Sequence, residues 1–156
     1  MYKKEFVIFC FLYFLCPLHF FIIGEGNGYG IQGFLFRYQI TPQGNSFISI
    51  INEIRYVFSG LIDGKSGFSI IFWVFGSFLF SLAFFLFLYN YNLFTRKKFF
   101  LIFSLMVISG ICLLLSCVIQ YGIFFNGPAG VSILIGLPFL MYFAWIFFIG
   151  NNQCSA

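Results

Sequence analysis

Charge is the scarcest property of this chain. Eight Lys and Arg, four Asp and Glu and a single His are spread over 156 residues, where a typical soluble domain carries about 25% charged residues. One histidine, His19, excludes a His-rich metal site built within the chain, and with the acids scattered it supplies no recognisable Ser-His-Asp constellation. Its bland role is a hydrogen bond to a carbonyl freed by Pro17 or to interfacial water, and its functional one a proton relay or cofactor ligand. Acids are equally sparse. Glu53 and Asp63 are ten residues apart, about 15 Å on a helix, too far for paired-carboxylate chemistry.

Cys10, Cys16, Cys112, Cys117 and Cys154 contain no C-x-x-C and avoid the loops, so no disulfide framework is expected. Cys154 misses the spacing for prenylation. The P-loop, H-E-x-x-H, G-x-S-x-G and EF-hand patterns are all missing. These shortages predict no catalytic, cofactor-binding or metal-ligating residues, no cofactor and no enzymatic activity. Three basic residues, Arg96, Lys97 and Lys98, are too few for a nucleic-acid surface.

What is present is apolar. Hydrophobic residues make up 62% of the chain and Phe alone contributes 28 positions. Four segments, residues 6–23, 68–89, 99–119 and 131–149, lack any Asp, Glu, Lys or Arg. Each is about long enough for a helix to cross a hydrocarbon core of about 30 Å. Lys3 and Lys4 precede the first, and Arg96 to Lys98 lie between the second and third, which predicts both termini on the inner side. Segment 6–23 also has the basic start and apolar run of a secretory signal. With Phe20, Phe21, Ile22 and Ile23 at its end in place of a small-residue cleavage site, a retained anchor is favoured.

The stretch Gly24-Glu25-Gly26-Asn27-Gly28-Tyr29-Gly30-Ile31-Gln32-Gly33 holds a formal G-x-G-x-x-G. A dinucleotide site needs those glycines between a strand and a helix N-terminus. Here they follow an apolar segment and precede a strand-like one, so they read as a flexible exit from the membrane.

The outer loop, residues 24–67, carries two patterned stretches. Phe34, Phe36, Tyr38 and Ile40 fall on one face of a short strand, with Arg37 and Gln39 on the other. Thr41-Pro42-Gln43-Gly44 reads as a turn. From Asn45, Phe47, Ile50, Ile51, Ile54, Val57, Phe58, Leu61 and Ile62 recur at helical spacing, with Glu53 on the opposite face. Phe124 and Phe125, beside an Asn-Gly-Pro turn, are expected to fold against this cap.

Small residues recur on single helix faces: Ser69, Gly76 and Ala83; Ser77 and Ser81; Ser109 and Ser116; Gly110 and Cys117; Ser132, Gly136 and Ala144. They predict close helix packing. Trp73, Tyr89, Tyr121 and Trp145 read as interfacial anchors.

The expectation is an all-α integral membrane protein: a single four-transmembrane-helix bundle with a short β element and an amphipathic helix in the first outer loop. It is similar in architecture to claudin-type four-span proteins, whose outer-loop Trp and Cys signature is missing here. The expected partners are the lipid bilayer, other membrane subunits or a second copy, and no nucleic acid. The cell membrane is the expected location, an organellar inner membrane the alternative. The expected role is a structural or interaction subunit, with a transporter or channel for a small solute, lined by Ser77, Ser81, Ser109, Ser116 and His19, as the alternative.

Overall fold

The computed structural model describes residues 3–24, 27–90 and 96–153; Glu25, Gly26 and Cys154 lie outside them. The elements in order are α1 (Lys3–Phe14), β1 (His19–Ile23), β2 (Gly28–Gln32), β3 (Phe36–Thr41), β4 (Gly44–Ser49), α2 (Ile50–Phe58), α3 (Gly64–Tyr89), α4 (Arg96–Tyr121), β5 (Asn126–Gly127), β6 (Gly130–Leu134) and α5 (Gly136–Gln153). The strands form one antiparallel sheet in the order β4-β3-β2-β1-β6-β5.

This mixed α/β fold corrects the all-α four-span bundle and the claudin-like arrangement. Of the four segments, only the second and third are long helices throughout, and among the described residues only Gly64–Tyr89 and Lys97–Tyr121 are long and apolar enough to cross a membrane. The first stops at Pro17, which has no N–H and disfavours helical backbone at Cys16 before it. The aromatic and β-branched run His-Phe-Phe-Ile-Ile that follows becomes β1. The fourth divides likewise, with residues 130–134 in β6 and α5 starting only at Gly136.

The two-sided topology, the bilayer and membrane subunits as partners, and the membrane locations were inferred from four spans. They fall once segments 6–23 and 131–149 contribute the paired inner strands β1 and β6. The reading as a multi-pass structural subunit, transporter or channel falls with them.

Helices bury one face of the sheet. Phe34 stacks on Phe80 with ring centroids 4.3 Å apart. Phe9 of α1 meets Phe80, Phe84 and Phe87 of α3 and Phe143 of α5 at 5.2 to 5.4 Å. α3 and α4 come together through small residues. Ser69 Oγ donates to the Ser116 carbonyl at 2.8 Å, Ser116 Oγ to the Ser69 carbonyl at 2.7 Å, and Ser109 Oγ to the Gly76 carbonyl at 2.7 Å. The serines expected to line a solute path are thus largely bonded between or within helices, Ser81 Oγ donating to the Ser77 carbonyl at 2.7 Å. Gly110 faces Met141 and Leu140 of α5 and Ala83 is fully buried. Ser132 stands in β6, and Gly136 begins α5 against the Pro17 carbonyl, so neither shares a helix face with Ala144 in the way their spacing suggested.

The polar face of β3 turns toward the helices. Cross-strand pairing sets Arg37 opposite Gln32 and Gln32 opposite His19, and His19 and Gln32 are buried, so the polar row faces the helices. Phe20, Ile22, Tyr29, Phe36, Tyr38 and Ile40 share the other face, since residues two apart point the same way. Gly30 explains the glycine-rich stretch: a Cβ there would run into the Tyr38 carbonyl and the Phe21 ring. Gly28 and Gly30 thus serve close strand packing.

Candidate functional site

Two features meet at α2. The first is a buried polar row. His19, Gln32 and Arg37 are directly opposed on β1, β2 and β3, and Arg37 reaches from the third strand to α2. Its Nε and Nη2 donate to Gln32 Oε1 at 3.2 and 3.0 Å. Its Nη1 lies 3.1 Å from Glu53 Oε1. That contact is ionic more than directional, because neither Glu53 oxygen meets hydrogen-bond geometry, although Glu53 is only 1% exposed. The guanidinium also sits 5.6 Å from the Trp73 ring and 5.8 Å from Phe21, within cation–π range.

His19 closes the row at its other end. It is 3% exposed, and its Nδ1 shares a hydrogen bond of 3.0 Å with Ser132 Oγ. Burial, with the Arg37 charge adding to it, lowers its pKa from 6.5 to about 4, against opposing hydrogen bonds from Gln32 and the Phe20 backbone. It is therefore neutral at pH 7. Tyr121 sets its ring edge-on to His19 at 5.9 Å. Cys117, whose side chain also hydrogen-bonds Ser132, is pushed up to about 12 by burial and stays a thiol. No group in the row is both ionised as a nucleophile and open to solvent, and its arrangement ties sheet to helix. Among the described residues no three His, Cys, Asp or Glu come together as a metal site.

The second feature is an apolar cleft of about 370 Å³ between α2 and α3. Ile54, Val57 and Phe58 of α2 form one wall; Ile70, Ile71, Val74, Phe75 and Phe78 of α3 form the other. α2 is placed by its own sequence. Ser49 caps it, Oγ accepting from the Asn52 N–H at 3.4 Å, and Glu53 pins its middle to β3. The helix ends at Ser59 and Gly60, where Gly60 takes φ of 73°, a conformation that strains residues with a Cβ.

Sequence reasoning placed Glu53 on the outer face of this helix, where the structure buries it. It placed Asn45 to Ser49 in the helix, where the structure has β4. Trp73, expected as an interfacial anchor, is fully buried and its Nε1–H donates to the Gly33 carbonyl at 3.0 Å. Phe124, expected to fold on the cap, is 90% exposed. The cluster of Gln32, Arg37, Glu53 and Trp73 was missed. Its only trace in sequence is that Arg37 and Glu53 carry opposite charges on adjacent patterned stretches. Comparison with protein-family models, with curated proteins and with solved structures finds no match.

Proposed function

We propose that this chain is a non-catalytic binding module for a small apolar molecule, an alkyl chain or comparable hydrocarbon, held in the cleft between α2 and α3. The observation that carries the reading is the lining. Eight hydrocarbon side chains line a half-open space of about 370 Å³, within the range of roughly 300–1,000 Å³ of small-molecule sites. Such walls offer dispersion contact and exclusion of water and supply no acid, base or nucleophile to a reaction. The Arg37–Glu53 contact supports the reading by fixing one wall against the sheet, because a wall held in place loses little freedom on binding.

The test is titration with Nile red, a solvatochromic apolar dye, and its displacement by dodecanol. Wild-type protein is expected to give saturable, blue-shifted emission. Val74→Trp, which fills the cleft, should weaken binding at least tenfold, while Phe124→Ala, on the exposed turn after α4, should leave it unchanged. Equal binding by Val74→Trp and wild type would place the dye elsewhere and refute the assignment.

A further inference from the structure

β4 forms one margin of the sheet, pairing with β3 and with no strand beyond it among the described residues. The register fixes which of its backbone groups turn outward. The Ile50 N–H donates to the Leu35 carbonyl at 2.9 Å, in line with the pairing that runs from Phe36↔Ser49 to Thr41↔Gly44. Hydrogen-bonded pairs alternate along an antiparallel ladder, so residues 44, 46 and 48 bond to β3. The N–H and C=O of Asn45 and Phe47, and the N–H of Ser49, point away from the sheet. β3 keeps the same alternation: the Gly33 N–H donates to the Phe36 carbonyl at 2.8 Å, which directs residues 36, 38 and 40 toward β2.

Exposed edges are ordinarily blunted by Lys, Pro, a bulge or brevity. Gly-Asn-Ser-Phe-Ile-Ser has none of these: it is six residues long, uncharged and in unbroken register with β3. The opposite margin, β5, is blunted by being two residues long.

The chemistry of the edge specifies what fits it. Donors and acceptors repeating every second residue match an extended backbone. Phe47 is 64% exposed, stacks on Phe36 at 5.3 Å, and ends the cross-strand row Phe20, Ile31, Tyr38, Phe47. An apolar side chain opposite it would extend that row. On the other face β4 presents the small residues Gly44 and Ser46, beside which a small polar side chain would fit. We infer that β4 is a docking edge for an extended segment of another protein, alternating apolar with small polar residues, which joins the sheet as a seventh strand. This is independent of the cleft.

The probe is a fluorescein-labelled six-residue peptide of alternating Val and Thr, followed by anisotropy, with its alternately N-methylated form as control. Phe47→Pro removes an outward N–H that β3 does not use, and Phe47→Lys keeps the backbone and adds an edge charge. Wild-type protein should bind the peptide saturably and not the N-methylated form, and both variants should bind at least tenfold more weakly with unchanged circular dichroism. If Phe47→Pro fails to fold, Phe47→Lys carries the comparison. Three results would overturn the inference: no saturable binding by wild type, equal binding by the folded variants, or a wild-type dimer that Phe47→Lys makes monomeric, which would assign the edge to a second copy.

Discussion

His19 shows how much a single buried side chain decides here. Its ring is enclosed between Ser132, Gln32 and Tyr121, and its pKa falls from 6.5 to about 4 because burial and the Arg37 charge disfavour the imidazolium. The folded chain thus refuses a proton that the unfolded chain accepts. Above pH 6.5 the two states bind protons alike at this site. As the pH drops from 6.5 to about 4, stability falls by about 1.4 kcal/mol per unit, roughly 3 kcal/mol in all, and the contribution is flat below that. Urea midpoints measured across this window should fall more steeply for wild type than for His19→Gln, which has no proton to gain. Parallel slopes would mean that the imidazole is not held neutral. Arg37 is the complementary case: Glu53, Gln32 and two aromatic faces surround its guanidinium. Loss of Glu53 alone would leave that charge without its counter-ion in a largely dry site.

At the scale of elements, the helices with plain boundaries were legible and the composite segments were not. α3 and α4 follow from long uninterrupted apolar runs, and their contact follows from small residues. Gly76 makes this testable. A Cβ placed there would lie 2.9 Å from Leu113 Cγ and 3.1 Å from the Ser109 carbonyl oxygen. Gly76→Val therefore overpacks the α3–α4 contact and should cost about 1–3 kcal/mol by chemical denaturation. An unchanged midpoint would show that the helices are not this close. Segments 6–23 and 131–149 misled because an apolar run without charge has no period that separates strand from helix. The distinguishing marks were Pro17, read as freeing a carbonyl within a span, and Gly136, read as a packing residue. The two meet in space: the Leu18 carbonyl accepts from both the Ile135 and the Gly136 N–H, at 3.2 and 3.0 Å, so both helix–strand junctions fall at one point. The buried pair was hidden for a related reason. Helical periodicity sends a charged residue such as Glu53 outward, and only the β2–β3 register shows that Arg37 faces it from within.

For the whole molecule, the decisive pairing is β1 with β6. β2, β3 and β4 pair with neighbours in the chain, whereas His19 stands opposite Leu134 across most of its length. The strand nearest the N-terminus is thereby completed by one near the C-terminus, and helices from both ends pack on the same face, with Phe9 of α1 against Phe143 of α5. The Ile135 N–H donates to the Leu18 carbonyl, so alternation makes Phe20 and Ile133 a hydrogen-bonded pair in the interior of the sheet. Neither amide can be released without parting the two ends. Native-state hydrogen exchange should therefore give Phe20 and Ile133 the same opening free energy, equal to that of the α4 core amide of Leu113, because all three report global unfolding. The outward amide of Phe47 should exchange far sooner. If Ile133 opened well before Phe20 and Leu113, β6 with α5 would be a separately detachable unit. The sheet would then not be what joins the two ends into one cooperative structure.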